Sequence, residues 1–214
     1  MMVSLFSVFD PVVMGFSFNW LVIILCFYII KPFYFKMMSY NHTMFCMWMM
    51  FFYTYLSGVA GQFNKGIVVM GLGMFMYISM MNIMGLFPFI FSGTAHPIIT
   101  LSLGMMLWLS CFLMGWINVK NSAAHLTPHG SPLILAPLLV LIESVSHLIR
   151  PVTLSIRLAA NMMAGHLIVG LISSLSMMFA VMCQSLLLML ELGVCIIQGM
   201  VFSILFLLYA VEYY

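Results

Sequence analysis

The sequence predicts an all-α integral membrane protein with about five membrane-crossing helices and one amphipathic interfacial helix. Of its 214 residues, 65% are hydrophobic and only 5% charged. A soluble domain carries about a quarter charged residues, and no water-soluble core hides this much apolar surface. No charged residue lies between Lys65 and Lys120, or between Arg157 and Glu191. Each run exceeds the roughly 20 residues that cross a hydrocarbon core. The runs are continuously apolar, whereas barrel strands alternate. In lipid the backbone must satisfy its own hydrogen bonds, so continuous apolar runs mean helices.

The first span covers residues 12–30 and stops at Lys31-Pro32, since proline cannot continue a helix without losing a bond. Residues 33–64 mix Lys36, Asn41, His42, Gln62 and Asn64, with Lys65 just beyond, among many aromatics. That mixture predicts a segment lying on one membrane face, with Trp48 and the tyrosines at headgroup depth. A second span covers 66–87 and ends near Pro88; a third covers 98–118 and ends before Lys120. The stretch HLTPHGSP at 125–132 reads as a loop. Two longer segments follow, 133–171 and 177–211, with the Ser-rich ISSLS at 172–176 between them. The whole chain reads as one membrane domain, 1–214.

Lysines set an expected orientation. Lys31, Lys36, Lys65 and Lys120 fall on one side when three spans are crossed, and positive loops stay inside. The N-terminus with Asp10 is then outside, and Glu212 with the C-terminus inside. The opening MMVSLFSVFDP lacks a basic n-region, a small-residue cleavage site and the Arg-rich character of a transit peptide, so no removable leader is expected. No basic cluster points to nucleic acid, and no GxxxxGK[ST] loop points to nucleotide binding. The cysteines Cys26, Cys46, Cys111, Cys183 and Cys195 show no CxxC spacing, so they read as small packing residues, with no metal or cofactor expected. The 25 methionines fill lipid-facing surface as leucine does, and would suit an animal mitochondrial genome.

Ionisable groups inside a membrane segment are costly and usually functional, and here they collect in the last two segments. Glu143, Arg150 and Arg157 recur every seven residues, on nearly one helix face, and His147 and Asn161 join it at i+4 steps. His166, nine residues past Arg157, falls on the opposite side of a straight helix; Pro151 bears on that geometry. In the last segment Gln184, Glu191 and Gln198 repeat at the same spacing. In an antiparallel hairpin turning near 174–178, Arg157 would lie level with the Glu191–Gln198 stretch. Titratable groups lining such a seam suit a proton path. The competing account is an ion-pair network that only locks helices together.

The run ESVSHLIRPVTLSIRLAANMMAGHLI at 143–168 resembles the signature of the ATP synthase subunit a family, with Arg157, Leu158, Asn161 and Gly165 in its Arg-Leu-x-x-Asn-x-x-x-Gly core. FSVFDP (6–11), NIMGLFPFIF (82–91) and HLTPHGSP (125–132) are similar to the mitochondrial form, although His129 stands where the family commonly has Gln. The resemblance implies an N-terminal span, an amphipathic matrix helix, two more spans and a long tilted hairpin against a c-ring. It implies a non-catalytic, proton-translocating subunit of the mitochondrial inner membrane. Its expected partners are the c-ring, other membrane-sector and peripheral-stalk subunits, and the lipid bilayer. It assigns Arg157 as the essential arginine, Asn161 and Gln198 as its polar neighbours, and Glu143, His166 and Glu191 as half-channel positions. Bacterial relatives exchange the residue types at the positions of His166 and Glu191, which implies that these two approach across the hairpin. Arg150 and His129 receive no role. Two other classes fit less well. Secondary transporters usually show internal repeats, and the two halves here share none. A haem subunit would favour paired histidines on facing helices, whereas His147 and His166 share one segment.

Overall fold

The computed structural model describes residues 6, 9–12, 15–24, 40–61, 65–87, 90–117, 135–173 and 176–213. Five long helices run through them: α1, Tyr40–Ala60; α2, Lys65–Leu86; α3, Pro97–Ile117; α4, Ala136–Ile172; and α5, Met177–Tyr213. Short 3-10 turns occupy Phe18–Trp20 and Gly93–Ala95. Helices α2 to α5 are each long and apolar enough to cross a membrane, while the apolar part of α1, Cys46–Ala60, is shorter. The protein is therefore a multi-pass all-α membrane protein. The first predicted span is described only as far as Ile24, where a helix has begun. Lys31, Lys36, Lys120, Cys26 and the loop 125–132 lie outside the described residues.

Helix ends follow backbone chemistry. α1 stops at Gly61, whose φ of +71° is a left-handed value that glycine adopts without strain. α3 starts on Pro97, where a missing N–H costs nothing. Its predecessor His96 is extended, with ψ 119°, as residues before proline prefer.

The bundle is held by close approach of small residues, the means available when lipid tails are as apolar as the side chains they surround. α2 and α5 form the most extensive pair. A Cβ at Gly71 would stand 3.1 Å from Cγ of Leu207, and one at Gly199 would stand 3.4 Å from both the Phe75 ring and Cβ of Ser79. α1 lies along this pair: Leu56 and Ala60 pack with Val68 and Leu207, and the Phe52 and Phe75 rings sit 4.4 Å apart. α3 meets α4 where Gly104 faces the Pro151 carbonyl, 3.4 Å from where a Cβ would be. Proline inside α4 removes one helical hydrogen bond. One turn on, the Ser155 hydroxyl donates to the Pro151 carbonyl at 2.9 Å. Tyr77, Ile78, Met81, Leu154, Leu158 and Phe202 then join α2, α4 and α5 in one core.

Leu207 is fully buried between α1, α2 and α5. Leu207→Ala is expected to destabilise the bundle by about 2 kcal/mol or more, the usual range for a truncated core leucine. Thermal unfolding of the purified complex, followed by loss of this subunit, checks it. An unchanged transition would show that the glycine-lined contact is dispensable.

Candidate functional site

α4 and α5 run antiparallel, and their contacts fix the register. Val169 accepts a hydrogen bond from Gln184, Gly165 faces Glu191, Met162 touches Cys195, and the His147 ring meets the Tyr209 ring at 6.4 Å. This register puts Arg157 level with Gln198 and Gly199. Glu191 lies about 12 Å nearer the hairpin turn, eight residues at 1.5 Å each. The expected alignment of Arg157 with the Glu191–Gln198 stretch is thus met at the Gln198 end.

A cavity of about 180 Å³ opens between α2, α4 and α5. Its polar lining is Asn161 from α4, Glu191 and Gln198 from α5, and Asn82 from α2. Oε1 of Glu191, Oε1 of Gln198 and Oδ1 of Asn82 are buried without a hydrogen-bond partner among the described residues. Each such group costs about 1–3 kcal/mol unless water or another molecule supplies a partner, and the cavity is roomy enough for several waters. The carboxyl of Glu191 lies directly on the α4 backbone: a Cβ at Gly165 would collide with Oε1 and stand 2.7 Å from Cδ. Only a glycine leaves the acid its place.

Arg157 does not line this cavity. It sits mid-way along α4 on the outer surface of the bundle, with no hydrogen bond or ion pair to any described residue. Thr153 before it and Ala160 and Ala164 after it are also exposed, so short side chains flank the arginine on that face. The internal salt bridge to Glu191 that the hairpin made conceivable is not formed.

The other predicted residues divide. Asn161, Glu191 and Gln198 share the cavity, whereas Glu143 lies half-buried far along α4 and does not reach it. His166 is turned away from Arg157, as nine residues along a helix require. Its ring meets Phe9 edge-on at 6.1 Å and hydrogen-bonds the Gly85 backbone. Glu191 and His166 do not hydrogen-bond to each other; Nε2 of the imidazole is buried without a partner. The expected approach of the two is realised only through Gly165, which touches the acid and precedes the histidine. His147, expected on the Arg157 face, is instead buried at the Tyr209 ring.

Sequence reading missed Asn82 and Gly165 as site residues. Asn82 was signalled as a lone amide in an uncharged apolar run, and it is 1% exposed. Gly165 stood in the quoted motif without a stated purpose.

Fold and site together define a multi-pass helical membrane protein whose long hairpin presents a bare cation outward and a carboxylate inward. Residues 14–211 match the family described as ATP synthase A chain. ATP synthase subunit a of Drosophila melanogaster is 42% identical, over 99% of both chains. That of Artemia franciscana is 41% identical over 99% of this chain and 100% of its own. That of Locusta migratoria is 38% identical over 100% of both. The chain belongs to the ATP synthase A chain family.

Proposed function

We propose that this chain is the proton-translocating stator subunit in the membrane sector of a mitochondrial F-type ATP synthase. It lies in the inner membrane with its N-terminus toward the intermembrane space and its C-terminus toward the matrix. It performs no covalent chemistry of its own. Two offset half-channels are separated by Arg157, which faces the carboxylates of a rotating c-ring. Other membrane-sector and peripheral-stalk subunits hold it still against that ring.

The observation that carries this reading is the outward-facing Arg157 without a partner among the described residues. A permanent charge in the middle of a membrane helix is too costly to leave in lipid. Its counter-charge belongs to another chain, and the exposed Ala160 and Ala164 allow a neighbouring helix to come close. The cavity supplies the second part. Glu191, Asn161, Gln198 and Asn82 line a polar space beside the arginine's helix, where a proton can be held and passed on. A proton from the intermembrane space reaches this space and neutralises a ring carboxylate. The neutral site can then turn through lipid, and it releases its proton toward the matrix after nearly a full turn. Each charge crossing 100 mV delivers about 2.3 kcal/mol. Glu143, on the opposite stretch of α4, serves the matrix side, and His166 the intermembrane-space side.

Glu191→Gln keeps the shape of the side chain and removes its ability to carry a proton. ATP-driven proton pumping by assembled Glu191→Gln complexes should fall by roughly tenfold or more, within the range that a positioned acid–base group contributes. Pumping at the wild-type rate would remove Glu191 from the path and leave the cavity a packing defect.

A further inference from the structure

We propose that Phe9 is a positioning residue for His166 and closes the intermembrane-space end of the path, held in place by a clasp from His96. The idea rests on the proton-path reading above and adds a residue from the far end of the chain.

Phe9 is 8% exposed although Asp10, its neighbour, is exposed. Its side chain packs with Ala95, Met162 and Cys195. Met162 and Cys195 also line the cavity that holds Glu191. Phe9 therefore shares a cluster with two residues that line the cavity. The same ring stands edge-on to His166, with an interplanar angle of 82°. Together with the bond to the Gly85 backbone, that contact restrains the imidazole.

The main chain of Phe9 is fastened as well. Nε2 of His96 lies 3.0 Å from the Phe9 carbonyl. A carbonyl only accepts, so Nε2 carries the proton and donates. The His96 ring packs against Trp20 and Phe91, at centroid distances of 5.5 Å and 5.1 Å, and those two rings also meet each other at 5.5 Å. Phe9 lies in a 3-10 turn and residues 10–12 have no regular secondary structure, so this clasp and the buried ring fasten the segment to the bundle. They cover the end of the bundle formed by the C-terminal end of α2, the Gly93–Ala95 turn and the last turns of α4. Water reaching His166 must then pass by a defined route instead of across this end.

Cys195 is a native reporter. It is 3% exposed and lies in the same cluster as Phe9. The test treats mitoplasts with a membrane-impermeant, negatively charged methanethiosulfonate and reads modification at Cys195 by peptide mass. Wild type should stay protected. Phe9→Ala should react roughly tenfold faster or more, because thiol reactivity follows access, and Phe9→Leu should keep most of the protection. His96→Ala removes the clasp while leaving the ring, so the test survives if Phe9→Ala fails to assemble. It should also expose Cys195, and His96→Gln, which retains an N–H donor, should restore protection. Equal rates in wild type, Phe9→Ala and His96→Ala would overturn the proposal, as would a wild type that reacts as fast as the variants. The proton path is read separately by pumping in Glu191→Gln complexes. Normal pumping there would sink the path while leaving the labelling pattern intact, so the two failures are distinguishable.

Discussion

Replacing Arg157 by Lys is expected to abolish ATP synthesis in complexes that still assemble, although the charge is nominally kept. The arginine is exposed on α4 and makes no ion pair or hydrogen bond within the described chain, so little in the subunit's own fold depends on it. On the proposed reading its work is done against another chain. A guanidinium stays charged in nearly any environment and offers a planar fork to a carboxylate. An ammonium deprived of water gives up its proton far more readily, and such a group passes protons where it should bar them. Arg157→Ala is expected to let protons cross without rotation, visible as dissipation of an imposed gradient with no ATP formed. In Arg157→Lys membranes, synthesis should fall by at least roughly tenfold with subunit levels unchanged, the pattern of an interaction lost during turnover and not during folding. Near-normal coupled synthesis in Arg157→Lys would make the arginine a structural ion.

The second large effect is expected at Gly165. Any side chain there begins with a Cβ that would strike the Glu191 carboxyl. Gly165→Ala must push Glu191 off the α4 backbone, and Gly165→Val also fills part of the cavity. Proton flux should fall by roughly tenfold in Gly165→Ala and further in Gly165→Val, since a misplaced reacting group can cost about a hundredfold. A double-mutant cycle isolates the cause. In a Glu191→Ala background, where the carboxyl is gone, Gly165→Ala should cost little more, because groups in contact are not additive. Full additivity would show that Gly165 acts through helix packing alone.

The membrane architecture was legible because its causes are local. Charge-free runs such as 66–119 mark spans without reference to any neighbour, and the seven-residue spacing of Gln184, Glu191 and Gln198 states a face. What a periodicity does not state is which helix that face meets. His147 stands at the edge of the Arg157 stripe on a helical wheel, and only the position of α5 turns it inward to Tyr209. Asn82 needed the same information: an amide in α2 becomes part of a site when α4 and α5 close around it. The role of Gly165 was invisible for a different reason. Space for a carboxyl is a property of two helices in register, and glycine carries no side chain to announce it. Phe9 reads as one more apolar residue until the fold brings residues 9 and 166 together.

Helices α4 and α5 are 37 residues each, about 55 Å long at 1.5 Å per residue. A bilayer, headgroups included, is only about 45 Å thick. A rod of that length kept within it must lean, and its two ends are then displaced sideways by at least roughly 30 Å, three helix diameters. The hairpin is a ramp. On the proposed reading, openings at its two ends would lie over different points on the rim of a rotor beside it, without an extra domain or a second pore. Shortening both helices by matched turns at one end would bring those points together. If the proposed path holds, the angle a rotor must travel between taking up a proton and releasing it is written in the length of two helices.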